Sequence, residues 1–323
     1  MTFATKLLSA AAGLGALLAV PHAFAAGINW GSVPGKDVVL FYPGQASWEF
    51  ALTVADMSGA KDFREGKDCS TCHIGEEKDM GPQIVTGQPR TFKTGVKPSI
   101  EPTPIPGKPG SIPATVKVAN DGTNLYVHLE FNEGAQPDAK QDPAYATKVT
   151  VMFDNGKVPE ANRGGCFAAC HDDSAGMASA GGATRTMYLP KTRAKMTRQG
   201  GGDTLSPDLA ALKASGYQLE FWQAALNPGQ PAKASTEIVF DKREVSSPNI
   251  VTAEATHTGS TWSVTISRPL NEAAPYSTIA AGATYHIAIA IHAGHTAHRF
   301  HYVSYERSLV LNSGNADLVA VKQ

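Results

Sequence analysis

The sequence lacks an excess of charge of either sign: 28 Lys and Arg stand against 29 Asp and Glu, and the two signs are interspersed. That balance argues against a nucleic-acid-binding protein or a polybasic membrane patch, both of which need a concentrated positive field. Long helical periodicity is also scarce, whereas 31 Gly and 21 Pro punctuate the chain. A β-rich, loop-rich body is expected rather than a helical bundle. The apolar run at residues 7–20 is too short and too rich in Ala to be a membrane span. It follows Lys6 and precedes the small-x-small site Ala23-Phe24-Ala25, so residues 1–25 read as a signal peptide, with an uncleaved anchor as the alternative. Export to the periplasm follows. Cysteine is scarce as well: there are four, all within two short motifs, which leaves none for an unrelated disulfide.

The first motif is Cys69-Ser70-Thr71-Cys72-His73. Two cysteines separated by two residues and followed at once by histidine form the attachment signature of c-type haem. Each thiol adds to one vinyl group, and the adjoining histidine is held beneath the iron as its proximal ligand. A thioredoxin-like redox pair would need a βαβ context, and a zinc site would need a second ligand pair; neither is evident. The second motif, Cys166-Phe167-Ala168-Ala169-Cys170-His171, carries one extra residue between the thiols. A four-residue offset places both cysteines on one face of a helical turn, and histidine again follows directly. A local disulfide or two buried structural thiols are the plainer readings, and neither needs the histidine. The expectation is two covalently attached haem c groups, on Cys69, Cys72 and His73, and on Cys166, Cys170 and His171.

The rest of the chain reads as a frame for these motifs. Residues 26–110 form an N-terminal haem-bearing segment and linker, with a strand at residues 38–42 and a short helix at 58–65 capped by Ser58 and stopped by Gly66. Residues 94–113 are expected to be a structureless connector. From residue 111 to 323 strands succeed one another, at 115–119, 124–131, 148–153, 236–240, 261–266, 284–292 and 300–311. In the second of these, Leu125, Val127, Leu129 and Phe131 share one face, and Asn120-Asp121-Gly122 is the turn before it. The pattern predicts an antiparallel sandwich. An insertion at about 155–234 interrupts it with the second motif and a helix at 207–215, capped by Ser206 and stopped by Gly216.

Three stretches carry a likeness to a known family: Asp121-Gly122-Thr123-Asn124-Leu125-Tyr126-Val127, Gly165-Cys166 through His171, and Phe300-His301-Tyr302-Val303-Ser304. With them the chain resembles the ethylbenzene-dehydrogenase-related haem-binding family, over most of its length from about Val38. The resemblance implies an immunoglobulin-like β-sandwich with haem at one end. Members that serve as gamma subunits of molybdenum oxidoreductases hold noncovalent b-type haem through methionine and lysine. This chain departs from them in its cysteine motifs and is similar to the c-type branch; the methionine–lysine pair is not carried over.

Each iron has a further axial position. Nine of the ten histidines lie beyond the leader, and His292, His295, His298 and His301 fall within ten residues. Around Tyr285 to His292 the isoleucines alternate onto one face, leaving His286, Ala288, Ala290 and His292 on the other. Two alanines beside a histidine make a shallow shelf for a flat porphyrin; the plain alternative is a solvated strand face. His292 and His301 adjoin strands and are the first candidates for distal ligands, with Met57 as the methionine candidate. Met80 and Met177 are tethered too closely to their own proximal histidines, although Met177 can serve the other haem. His128 and His257 are expected at the surface. Histidine–methionine ligation gives a higher potential than bis-histidine ligation.

The function that follows is a periplasmic dihaem c-type cytochrome carrying single electrons, and not an enzyme. Its partners would be redox proteins: a quinol-oxidising membrane cytochrome and a periplasmic reductase or dehydrogenase, the resemblance adding a molybdenum enzyme. One alternative is a haem enzyme with an open iron, such as a peroxidase or a nitrogen- or sulfur-oxide reductase. The other is a ligand-binding sandwich module, which would need an aromatic stripe that the scattered Trp48, Trp222 and Trp262 do not form.

Overall fold

The computed structural model describes residues 27–52, 59–87, 100–174, 177, 187–193 and 207–323. The signal peptide expected at residues 1–25 and the ligand candidate Met57 lie outside them. Strand β1 (Gly35–Phe41) is followed by four short helices, α1 (Trp48–Leu52), α2 (Ala60–Arg64), α3 (Cys69–His73) and α4 (Glu77–Val85). Strands β2 (Ser111–Asn120), β3 (Asn124–Asn132) and β4 (Thr147–Asp154) lead to α5 (Pro159–Gly164) and two small strands, β5 (Cys170–His171) and β6 (Met187–Tyr188). Helix α6 (Leu209–Ala214) precedes β7 (Leu219–Leu226), β8 (Lys233–Val239), β9 (Arg243–Val245), β10 (Thr252–Thr258) and β11 (Thr261–Pro269). The chain closes with β12 (Tyr285–Ala293), β13 (Tyr302–Val303), β14 (Arg307–Leu311) and β15 (Leu318–Lys322).

The order β10-β11-β3-β2-β1-β13-β12-β4-β7-β8-β9 is one hydrogen-bonded path, with β14 and β15 linking β12 back to β2. Neighbours on the path are antiparallel; β15 runs parallel to both β14 and β2. The path folds over so that β10 and β11 pack against β7 and β8. The result is a mainly β, antiparallel sandwich, as the alternating strands predict. Its core takes Leu125, Val127 and Leu129 from β3, Val149, Val151 and Phe153 from β4, Ile287, Ile289 and Ile291 from β12, and Trp222 and Trp262. Each such side chain taken out of water stabilises the fold by about 1.5–3 kcal/mol.

Several boundaries depart from the sequence expectation. Strand β1 of the N-terminal segment sits inside the sheet, between β2 and β13. The insertion is shorter than expected, because β7 lies between β4 and β8 as a central strand. It shows no alternation because Glu220 is buried, held by Arg268 Nε and Nη2 at 3.0 Å each and by Trp222 Nε1 at 3.0 Å. The strand expected at 300–311 is broken at Ser304, whose hydroxyl accepts the Ile289 N–H at 2.9 Å in place of a ladder carbonyl. Helix α6 begins later than expected and is capped by Asp208, which accepts from Ala211 N at 2.9 Å; Ser206 is outside the described residues. Helix α2 has Gly59 at its cap; Ser58 is outside the described residues.

Candidate functional site

The first motif is the helical turn α3, started by Asp68, whose carboxylate accepts from Thr71 N at 2.9 Å. Arg163 on α5 donates to the carbonyls of Phe63 and Lys67, tying the approach to this turn to the approach to the second motif. Cys69 is half-buried and Cys72 exposed; neither is in a disulfide. His73 lies 3.0 Å from Glu76 Oε2 through its Nδ1. A carboxylate oxygen accepts, so Nδ1 carries the hydrogen, the contact that orients metal-binding histidines. The ring lies 6.3 Å from that of Tyr305 and is inclined to it by 19°.

The second motif is not the single helical turn that its spacing suggested. Gly165 to Ala168 form one 3-10 turn, and Cys170 and His171 then run as β5 against Tyr188 and Met187. The turn is possible because Gly165 has φ +52°; a Cβ there would stand 2.9 Å from Glu306 N and 3.0 Å from the Ala288 side chain. Its missing side chain lets the motif lie on β12. Cys170 is buried and donates to Glu49 Oε2 at 3.1 Å, while Arg193 bonds the other oxygen of Glu49. Burial pushes the Cys166 thiol up to about 12, and the Cys69 and Cys170 thiols are raised for the same reason. They stay protonated, the opposite state from a thiolate zinc ligand or redox nucleophile.

The two motifs share walls. Cys69 and Cys166 both pack on Phe41, Ala290, Val303 and Tyr305. Cys69 also packs, with Met177, on the cluster of Trp48, Phe63, Tyr188 and Cys170. Ala288 belongs to the cluster that receives Cys166 from the other side. The alanine face of β12 therefore lies against the second motif, with His292 further along the same face. Glu306 bridges the motifs, accepting from Ser70 N at 3.1 Å beside Gly165.

His292 and His301 come together with His171, whereas Met57 is not described. The His171 and His301 ring centroids are 5.3 Å apart, and those of His292 and His301 4.9 Å. His295 and His298 occupy the intervening turn in left-handed conformations, φ +55° each, a strained backbone that histidine tolerates better than most residues. The His298 carbonyl accepts from His292 Nε2 at 2.8 Å and from His301 Nδ1 at 3.0 Å. Burial drives His171 and His301 down to about 3 and His292 well below its ordinary value; Arg243 next lowers His171, and His171 next lowers His301. All three imidazoles are thus neutral, the form that binds a metal.

A cavity of about 360 Å³ opens beside His171 and His292, lined also by His298, Met187, Lys148 and Arg243. That volume falls in the range of small-molecule sites. Protonated thiols outside any disulfide and neutral imidazoles with bare ring nitrogens beside them fit a covalently attached porphyrin. Among the described residues no helix is long and apolar enough to cross a membrane.

Other expectations need correction. His128 is not at the surface: it is buried, bonds Thr265 Oγ1 at 2.8 Å and lies under Trp30, ring centroids 4.4 Å apart. His257 is half-buried, its ring 4.3 Å from that of Trp262. Sequence reasoning missed Glu49, Arg193, Glu306 and Arg299, whose partners lie more than a hundred residues away and leave no local signal.

No family model matches the chain. It is 31% identical over 301 residues to cytochrome c-552 of Stutzerimonas stutzeri, covering 93% of this chain and 92% of that protein. With cytochrome c-551 of Rhodocyclus tenuis it shares 25% identity over 295 residues, 91% of this chain and 99% of that one. Among solved structures it is similar to a family 9 carbohydrate-binding module of Caldicellulosiruptor kristjanssonii in complex with glucose, at TM-score 0.29 and 10% identity, over 60% of this chain and 66% of that one. That score is too low to carry an argument. Conserved length, two cysteine–histidine motifs on shared walls and neutral histidines beside them agree: the chain belongs to the cytochrome c family that includes cytochrome c-552 of Stutzerimonas stutzeri.

Proposed function

We propose that the chain is a periplasmic dihaem c-type cytochrome that passes single electrons between redox proteins. Cys69 and Cys72 would hold one haem and Cys166 and Cys170 the other, with His73 and His171 as proximal ligands. When bound, the group supplies reversible one-electron iron chemistry. The observation that carries the reading is the pair of shared walls, where Cys69 packs beside Cys166 on one and beside Cys170 on the other. Two haems so placed would be neighbours, able to exchange an electron within one small protein.

The chain's own residues set the conditions for this exchange. Phe41, Phe167, Tyr305 and Trp48 exclude water from the attachment region, lowering the dielectric that sets potential. Glu76 fixes the tautomer of His73, and the His298 carbonyl fixes those of His292 and His301. Exposed Cys72 and Ile74, the latter 55% accessible, leave the first motif at the surface, where a partner can approach. Supply of electrons by a quinol-oxidising membrane cytochrome and delivery to a periplasmic reductase or dehydrogenase suit this layout. Similarity to the ethylbenzene-dehydrogenase-related family would make a molybdenum enzyme one such partner. Met57 stays the methionine candidate for the first haem.

A spectroelectrochemical titration of the purified holoprotein tests the reading. It should show two reversible one-electron steps with low-spin spectra at both ends. High-spin ferric bands with rapid carbon monoxide binding and peroxide turnover would replace the carrier by an enzyme.

A further inference from the structure

We infer that His301 is the distal iron ligand of the second haem, facing His171, and that Arg299 is the positioning residue that holds the two together. The inference rests on the dihaem reading and assigns a residue within it.

The choice between His301 and His292 turns on which ring nitrogen is bare. The carbonyl of His298 can only accept, so both rings that contact it present N–H to it. His292 spends Nε2 on that bond and keeps Nδ1, which is buried without a partner among the described residues. Nδ1 is bonded to Cγ, the ring atom that carries Cβ, so the residue's own Cβ and backbone would crowd a flat macrocycle bound there. His301 spends Nδ1 and keeps Nε2, at the outer end of the ring, with no hydrogen bond among the described residues. A backbone carbonyl on Nδ1 with Nε2 bare is the usual preparation of a ligating histidine. His73 is prepared in the same way by Glu76.

Arg299 supplies an independent constraint. Its backbone N–H donates to Asp173 Oδ2 at 3.3 Å and its Nε to the Asp173 carbonyl at 3.3 Å. Asp173 follows His171 by two residues, and its Oδ1 is 3.6 Å from His171 Nδ1. Glu101 pairs with the far end of the same guanidinium, and Tyr42 donates to Glu101 at 2.8 Å. The turn carrying His301 is thereby latched to the segment carrying His171, and the two rings stand 5.3 Å apart. His292 lines the cavity with His171 but has no such latch.

The test uses holoprotein made in a host competent for cytochrome c maturation. Intact mass after denaturation counts the haems, and electron paramagnetic resonance of the oxidised protein reads their spin states. His301→Ala should keep two haems and turn one of them high-spin and able to bind carbon monoxide; added imidazole should restore the low-spin signal. His292→Ala should leave both haems low-spin. Arg299→Gln should broaden the low-spin signal of one haem while the other keeps its line shape. A wild-type-like spectrum from His301→Ala, or a high-spin haem in His292→Ala, overturns the assignment alone. One haem per chain overturns it together with the dihaem reading. Should His301→Ala not accumulate, His301→Met replaces it and should raise the potential of one haem; unchanged potentials would overturn the assignment.

Discussion

Glu306 offers the sharpest quantitative test of how the two motifs are joined. One carboxylate oxygen accepts from Ser70 N at 3.1 Å, and the other is buried with no partner among the described residues. Burial pushes this carboxyl up from 4.5 to about 7, and Asp68 nearby adds to the effect. The folded value lies above the unfolded one, so between about pH 4.5 and 7 the folded chain holds a proton that the unfolded chain has released. Stability therefore falls as pH rises across that window. Each tenfold change in acidity is worth about 1.4 kcal/mol, so the full loss approaches roughly 3 kcal/mol. Glu306→Gln keeps the acceptor for Ser70 and removes the ionisation. Guanidinium unfolding of the two holoproteins, followed by far-ultraviolet circular dichroism, should show the variant gaining about 2–3 kcal/mol on the wild type between pH 5 and pH 8. A gap that does not widen with pH, or a variant that is weaker at pH 8, would refute a buried, strained carboxylate between the motifs.

Two further outcomes follow from the buried contacts around Glu220 and Gly165. Glu220→Ala strands the guanidinium of Arg268, which is fully buried, and should cost about 3–5 kcal/mol in denaturant unfolding; a loss under 1 kcal/mol would contradict its place in the core. Gly165→Ala meets a positive φ and the backbone of Glu306 at 2.9 Å, so intact mass should show the second haem depleted and the first retained, whereas full loading would mean that the motif does not need the close approach.

Elements with a period-two pattern were legible in the sequence, since Leu125, Val127, Leu129 and Phe131 alternate with Tyr126, His128 and Glu130, and the isoleucines of β12 alternate with alanines. Strand β7 was not, because Glu220 and Trp222 are both buried and no alternation survives. Helix α4 carries Gly81 and Pro82, both poor helix formers, and so leaves little helical signal; a Cβ at Gly81 would collide with the Gly110 carbonyl. The motifs and the histidine cluster stood out because their residue types and spacing are unusual. Their mutual placement did not: Cys69 shares one apolar wall with Cys166 and another with Cys170, and Arg299 meets Asp173, across about a hundred residues or more of chain with no periodic signature. The surface assignment of His128 failed for a related reason, since the cover comes from Trp30, far away along the chain.

Haem stoichiometry of the denatured, chromatographically purified holoprotein is the most direct measurement. The account predicts a chain whose mass exceeds that of the polypeptide by two haems, with peptides bearing one at Cys69 and Cys72 and the other at Cys166 and Cys170. A colourless chain, or one whose second pair of cysteines reacts freely with a thiol reagent, would contradict it.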